Sequence, residues 1–219
     1  MIKGIIFDLD GTLLNTLDDL NNAVNYTLEH FNYPIKEPLE TMMNLGSGSR
    51  HLIKQSLPKD VKEEEFLKIH AFYQEYYQNN NNILTKPYDG ILEVLKKLKD
   101  LGYKLAVVSN KDDHDVKLLI NDLFPNLFQV AIGARSGKPV KPDKYLVDLA
   151  ISKLNLEKEE LVYVGDSDVD ILTAKNSKIK MITVSWGFRP YDVLIKYNAE
   201  NIIESPNEIF DTLDKINKQ

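Results

Sequence analysis

The sequence contains no cysteine, which removes disulfides, thiol nucleophiles and thiolate metal sites together. It has no apolar run near the ~20 residues that a bilayer span requires. It also lacks an excess of positive charge: 27 Lys and Arg stand against 33 Asp and Glu, for a net charge of -6. The broad basic footprint needed for nucleic acid or an anionic membrane surface is therefore missing. The opening stretch carries Asp8 where a secretory leader needs an apolar segment, so a soluble cytoplasmic protein is expected. What is present is an ordinary globular composition, 219 residues with 43% hydrophobic and 27% charged. That length suggests one domain of ordinary size plus something extra.

Three short apolar runs end alike. Ile5-Ile6-Phe7 ends in Asp8, Leu105–Val108 in Ser109-Asn110, and Leu161–Gly165 in Asp166. Runs of this length, rich in branched residues, predict strands buried on both faces, as in a parallel sheet. Val130–Ile132 and Met181–Val184 are two further candidates. Helical patterns lie between them, for example Ile91, Val94, Leu95 and Leu98 before Gly102, which is placed as a C-cap glycine. Strands alternating with helices predict a doubly wound, Rossmann-like α/β core.

Residues 15–85 break the alternation. They hold amphipathic segments around Leu20–Phe31, Leu52–Leu57 and Phe66–Tyr77, and little that reads as strand. A helical domain inserted after the first strand is expected at 15–85, with residues 1–14 and 86–219 forming the core. The clustered Phe72, Tyr73, Tyr76 and Tyr77 are expected to form its apolar face, and the run from Gln78 to Asn82 a frayed helix end or hinge-side loop.

In an open α/β sheet, ligands sit beyond the carboxyl ends of the strands. Asp8 and Asp10, Ser109 and Asn110, and Asp166 with Asp170 should therefore converge. An acid at a strand exit is often only a turn former or cap. Asp8 and Asp10, however, project to the same side of an extended segment, and two such carboxylates need a cation or a shared proton. The stretch Asp166-Ser167-Asp168-Val169-Asp170 exceeds what helix capping requires. It suits a hard cation bound through oxygens, Mg²⁺ above all. Ser109-Asn110 suits an oxyanion or phosphate at a strand-to-helix turn. Lys141-Pro142 reads as the start of a helix, with Pro142 in its first turn; spacing leaves Lys138-Pro139 as an equal candidate for the cation. Together these form an anionic metal cradle with one lysine and a few neutral donors. That set suits attack on phosphorus by a carboxylate, which is already ionised at neutral pH. A second carboxylate would then serve as acid and base.

At these residues the sequence resembles the haloacid dehalogenase-like hydrolase superfamily. Four motifs occur in order: Asp8–Leu14, Ser109-Asn110-Lys111, Lys141-Pro142-Asp143, and Gly165-Asp166-Ser167 with Asp170. The resemblance spans essentially the whole chain, and residues 15–85 look like that family's helical cap. It implies Asp8 as nucleophile and Asp10 as general acid and base. Mg²⁺ would be held by Asp8, the backbone carbonyl of Asp10 and Asp166, with Asp170 orienting the site. It further implies that Ser109, Asn110 and Lys141 (rather than Lys138) bind the phosphoryl group, while Thr12 supports the loop beside the substrate and orients Asp10. Asp10 argues against a dehalogenase, and Asn15 departs from the aspartate of many relatives without touching a catalytic position. The phosphoglycolate phosphatase-like branch is the nearest look-alike, through Leu45–Arg50, Ser185–Arg189 and Ala199–Ile203 with Ser205-Pro206.

Arg50 is placed either to pair with a carboxylate or second phosphate of the substrate, or as a first-turn helix residue facing solvent. His51 and His114 read as surface or packing residues, and Trp186 and Phe188 as packing against the sheet edge or the helix below it. The expected activity is Mg²⁺-dependent hydrolysis of a small phosphate monoester similar to 2-phosphoglycolate, by a monomer or homodimer. An inorganic pyrophosphatase and a β-phosphoglucomutase-like mutase share the motifs. A phosphoacceptor regulatory module shares the Asp, Ser and Lys, yet needs neither the insertion nor Asp10.

Overall fold

The structure is a computed structural model and describes residues 1–218. Six parallel strands form one sheet in the order β5-β4-β1-β6-β7-β8. They are β1 (Gly4–Phe7), β4 (Lys104–Asp112), β5 (Val130–Ala134), β6 (Leu161–Gly165), β7 (Lys180–Val184) and β8 (Ile202–Ile203). All five expected strands are present. The sixth, β8, is two residues long, too short to carry a periodic signal.

Side-chain alternation sorts the sheet into two faces. Ile5 and Phe7 of β1, Leu105 and Val107 of β4, and Val162 and Val164 of β6 enter one cluster. Against it pack α5 (Ile91–Asp100), α6 (Asp113–Leu123) and α10 (Glu208–Asn217). Ile6, Ala106, Val108 and Tyr163 face the opposite way, against α7 (Tyr145–Leu154), α8 (Asp168–Ser177) and α9 (Tyr191–Lys196). The result is a doubly wound α/β core. After α5, Gly102 takes φ +86°; the N–H groups of Gly102 and Tyr103 return to the carbonyls of Lys99 and Leu98, closing a Schellman C-cap. One helix starts later than the sequence suggests. Asp143 accepts from the Tyr145 N–H, so α7 begins at Tyr145 and Pro142 lies in the preceding turn, not in the helix.

Between β2 (Leu14–Asn15) and β3 (Lys86–Pro87), a short antiparallel pair, lie four helices: α1 (Leu17–His30), α2 (Pro38–Met43), α3 (Ser49–Ser56) and α4 (Glu63–Asn80). They enclose their own cluster around Val24, Leu28, Ile53, Ile69 and Tyr73. This is an inserted helical cap. Phe188 of the core joins that cluster instead of packing on the sheet edge, and so forms part of the seam between the two. The asparagine run closes α4 and forms the hinge-side turn out of the cap; within it Asn81 is buried and donates to Asp115 Oδ1 at 3.1 Å. Beside it, the buried carboxylate of Asp19 on α1 accepts the N–H groups of Ile83, Leu84 and Thr85 and the Thr85 hydroxyl. One side chain thus ties the chain's exit from the cap to its entry.

Candidate active site

The site lies beyond the carboxyl ends of β1, β4 and β6. Asp8 follows β1 directly, and its N–H bonds the carbonyl of Val164 on β6 at 2.9 Å. Gly11, at φ +85°, turns the chain under Asp166. Any Cβ there would sit 2.4 Å from the Asp166 carboxylate, and one on Gly187 would sit equally close. Two glycines therefore clear the space Asp166 occupies. Register shifts in β4 between Val108 and Asp112, a bulge at Ser109-Asn110-Lys111 that re-aims their side chains.

Asp8, Asp166 and Asp170 each place a carboxylate oxygen within 4.8 Å of the others, and all three are buried. Lys141 Nζ sits beneath them, 2.8 Å from both Asp8 Oδ1 and Asp170 Oδ1. Lys138 is exposed. Burial pulls the Lys141 pKa down, but Asp170 and Asp8 override it and hold the ammonium charged. Burial also opposes ionisation of Asp170. Lys141 and the hydrogen bonds from Ser167 and Tyr163 nevertheless keep that carboxyl below its usual range. Its oxygens accept from Lys141, Tyr163 Oη, the Ser167 N–H and Ser167 Oγ, so Asp170 is fully engaged as an orienting group.

The other two carboxylates are short of positive charge. Burial, then the charge of Asp170, raises Asp8 well above the carboxylate range, against the pull of Lys141. Burial and Asp170 likewise lift Asp166 to about 7, despite the Phe188 N–H, Thr12 and Arg189. Two under-compensated buried carboxylates, backed by a third that is saturated, form an all-oxygen donor set fit for a hard divalent cation.

Asp10 stands apart. Its carboxylate accepts from Thr16 Oγ1 at 2.8 Å and pairs with Lys111 Nζ at 3.0 Å. Thr12, expected near the substrate, is fully buried; its hydroxyl donates to Asp166 Oδ1 at 2.9 Å, so it grips the acidic cluster. Asn110 is also redirected. It exchanges hydrogen bonds with the backbone of Lys141 through Nδ2 and Oδ1, fixing the lysine's loop, and Nδ2 reaches the Gly46 carbonyl of the cap. Ser109 lies at the cleft with a buried hydroxyl. Asp168 faces away from the acidic cluster and pairs with Arg189 at 2.7 Å; Arg189 Nη2 also donates to the Leu45 carbonyl at 2.7 Å.

Arg50 is the expected substrate contact that the structure does not bring to the cleft. It is a first-turn residue of α3, exposed and paired with Glu63, with its guanidinium over the Phe66 ring. The apolar face of α3, carrying Leu52 and Ile53, takes the inward side. Sequence reasoning missed Lys111 and Tyr77. Tyr73 and Tyr77 line the cleft, whereas Phe72 and Tyr76 stack on Tyr26 outside it. The Lys111 ammonium donates to Tyr77 Oη at 2.8 Å. A period of four within the aromatic run, Tyr73 and Tyr77, was the available signal.

A model of the family described as haloacid dehalogenase-like hydrolase matches residues 5–184. Phosphoglycolate phosphatase of Aquifex aeolicus is 33% identical over 93% of this chain and 100% of its own. Pyrophosphatase PpaX of Halalkalibacterium halodurans is 29% identical over 96% of each chain. Among solved structures, a predicted phosphoglycolate phosphatase from Haemophilus somnus superimposes with a TM-score of 0.90 at 27% identity, over 97% of this chain and 98% of that one. Five of the six strands of the main sheet, its acidic cradle and its lysine fall within the matched span, and the chain belongs to the haloacid dehalogenase-like hydrolases.

Proposed function

We propose that this chain is a cytoplasmic, Mg²⁺-dependent phosphatase that hydrolyses a small phosphate monoester, 2-phosphoglycolate in the first instance. The observation that carries the reading is the meeting of the Asp8, Asp166 and Asp170 carboxylates within 4.8 Å of one another, with Lys141 Nζ 2.8 Å from Asp8 and from Asp170 and Asp10 on the adjoining wall of the cleft. Relatives named phosphoglycolate phosphatase at 31% and 33% identity support the substrate class.

In this reading Asp8 attacks phosphorus while Asp10 gives its proton to the departing alkoxide, leaving an aspartyl phosphate. Asp10, now a carboxylate, takes a proton from the water whose oxygen attacks that phosphorus, and phosphate leaves as Asp8 is restored. Asp8, the Asp10 carbonyl and Asp166 would hold Mg²⁺, which supplies charge against the phosphoryl oxygens. Lys141 holds Asp8 in place and offsets the same charge from below, and the Ser109 hydroxyl faces the phosphoryl group. Residues 15–85 act as the cap that excludes bulk water. Asp8→Asn keeps the fold and is expected to abolish phosphate release from 2-phosphoglycolate; release at a tenth of the wild-type rate or more removes Asp8 as nucleophile. Pyrophosphate in the same assay tests the pyrophosphatase reading, and a coupled assay for the isomeric sugar phosphate formed from β-glucose 1-phosphate tests the mutase reading.

A further inference from the structure

The cleft is poor in positive charge. Among the described residues, Lys111 is the one cation on its wall. Arg50 is turned outward to Glu63. Arg189 is occupied by Asp168 and by the carbonyls of Met42 and Leu45. Lys141 is held below Asp8 and Asp170. A substrate that carries a second negative charge beyond its phosphoryl group therefore has a single place to put it.

Lys111 is built for that task. It is 6% exposed, so any bond it makes to a ligand is shielded from water and strong for its kind. Two partners fix its ammonium, Asp10 Oδ1 at 3.0 Å and Tyr77 Oη at 2.8 Å. An ammonium has three N–H donors, which leaves one unassigned on a residue that lines the cleft. Burial raises the Tyr77 phenol to about 12, so that partner stays neutral and brings no competing charge.

Position completes the argument. Asp10 is the group that meets the leaving-group oxygen, and Lys111 touches Asp10. An anion one carbon removed from that oxygen thus lies beside Lys111, whereas an anion at the far end of a longer leaving group does not. We propose that Lys111 is the specificity-determining residue of this site, receiving the carboxylate of a short 2-phosphooxy carboxylic acid. The inference rests on the phosphatase reading of Asp8 and Asp10 and narrows its substrate class.

The test compares 2-phosphoglycolate with 2-hydroxyethyl phosphate, similar in size but uncharged in its leaving group, in wild type, Lys111→Met and Lys111→Arg. Wild type is expected to favour 2-phosphoglycolate. Lys111→Met is expected to cut that preference roughly 10- to 100-fold, mainly through KM, as loss of a charged hydrogen bond does. Lys111→Arg restores part of it. Any effect through Asp10 strikes both substrates and cancels in the ratio. An equal fall for both substrates makes Lys111 a support for Asp10 only and overturns the proposal. So does a wild type that treats the two alike, although phosphatase activity then still stands. If neither ester is turned over, the phosphatase reading falls, and calorimetric binding of 2-phosphoglycolate decides Lys111 separately. Asp8→Asn protein should bind it at least tenfold more tightly than Asp8→Asn/Lys111→Met, and equal affinities overturn the proposal.

Discussion

Mg²⁺ affinity should depend on pH in a way set by Asp166. Its carboxyl is lifted to about 7 by burial and by Asp170, and a cation must displace the proton it retains. Between pH 8 and pH 6 a group titrating near 7 weakens metal binding about tenfold. Asp8 is raised as well, so the loss on the acid side is at least that steep. Stability of the metal-free protein follows from the same proton. The unfolded chain loses it near the ordinary carboxylate value, whereas the fold keeps it until about 7. Over that window the fold binds more protons than the unfolded chain, so stability falls as pH rises. At about 1.4 kcal/mol per pH unit the full penalty is about 4 kcal/mol, complete above pH 7 and relieved by the cation. Isothermal titration with Mg²⁺ at pH 6, 7 and 8, in two buffers of different ionisation enthalpy, measures both the affinity and the protons released. Thermal melts with and without Mg²⁺ should diverge increasingly from pH 5 to pH 8. An affinity constant across pH 6–8, with no proton released, would refute the account of the cluster as short of positive charge.

Two substitutions probe the scaffold. Gly187→Ala puts a methyl 2.4 Å from Asp166 Oδ2; the expected result is a folded protein whose turnover falls on the order of 100-fold, the usual consequence of a displacement near 1 Å, together with weaker Mg²⁺ binding in the same titration. Asp19→Ala strips the partners from the Ile83–Thr85 backbone and from the buried Thr85 hydroxyl. A loss of about 3 kcal/mol should lower the melting temperature by roughly 6–12 °C and open the 78–85 segment to proteolysis, and a change below 2 °C would show the clamp to be dispensable.

The strand exits were readable because each signal is local: an apolar run, then an acid or a hydroxyl-amide pair. Asp8, Ser109 and Asp166 needed only the rule that such ends converge. What was hidden depends on partners far apart in the chain. Thr12 looked like a loop or substrate residue, yet its hydroxyl is claimed by Asp166, 154 positions away. Asn110 looked like a phosphate ligand, but the backbone of Lys141 takes both ends of its amide. Arg50 had a glycine-bearing loop to recommend it, and which way a first-turn arginine points is decided by Glu63 and Phe66 in another helix. Lys111 stood inside a motif without a role, because Tyr77 reaches it from the cap.

The core grips the cap by main-chain oxygens. Asn110 holds the carbonyl of Gly46, and Arg189 holds that of Leu45. A carbonyl is the same whatever side chain its residue bears, so the latch itself reads no side chain of this loop. What the loop does require is its own shape, with Gly46 and Gly48 at φ +96° and +83° and Leu45 buried in the cap cluster, so substrate-facing variation falls to cap side chains outside those three positions. A protein built this way can acquire a new substrate by exchanging cap residues one at a time, without first losing the closed arrangement in which its chemistry is performed.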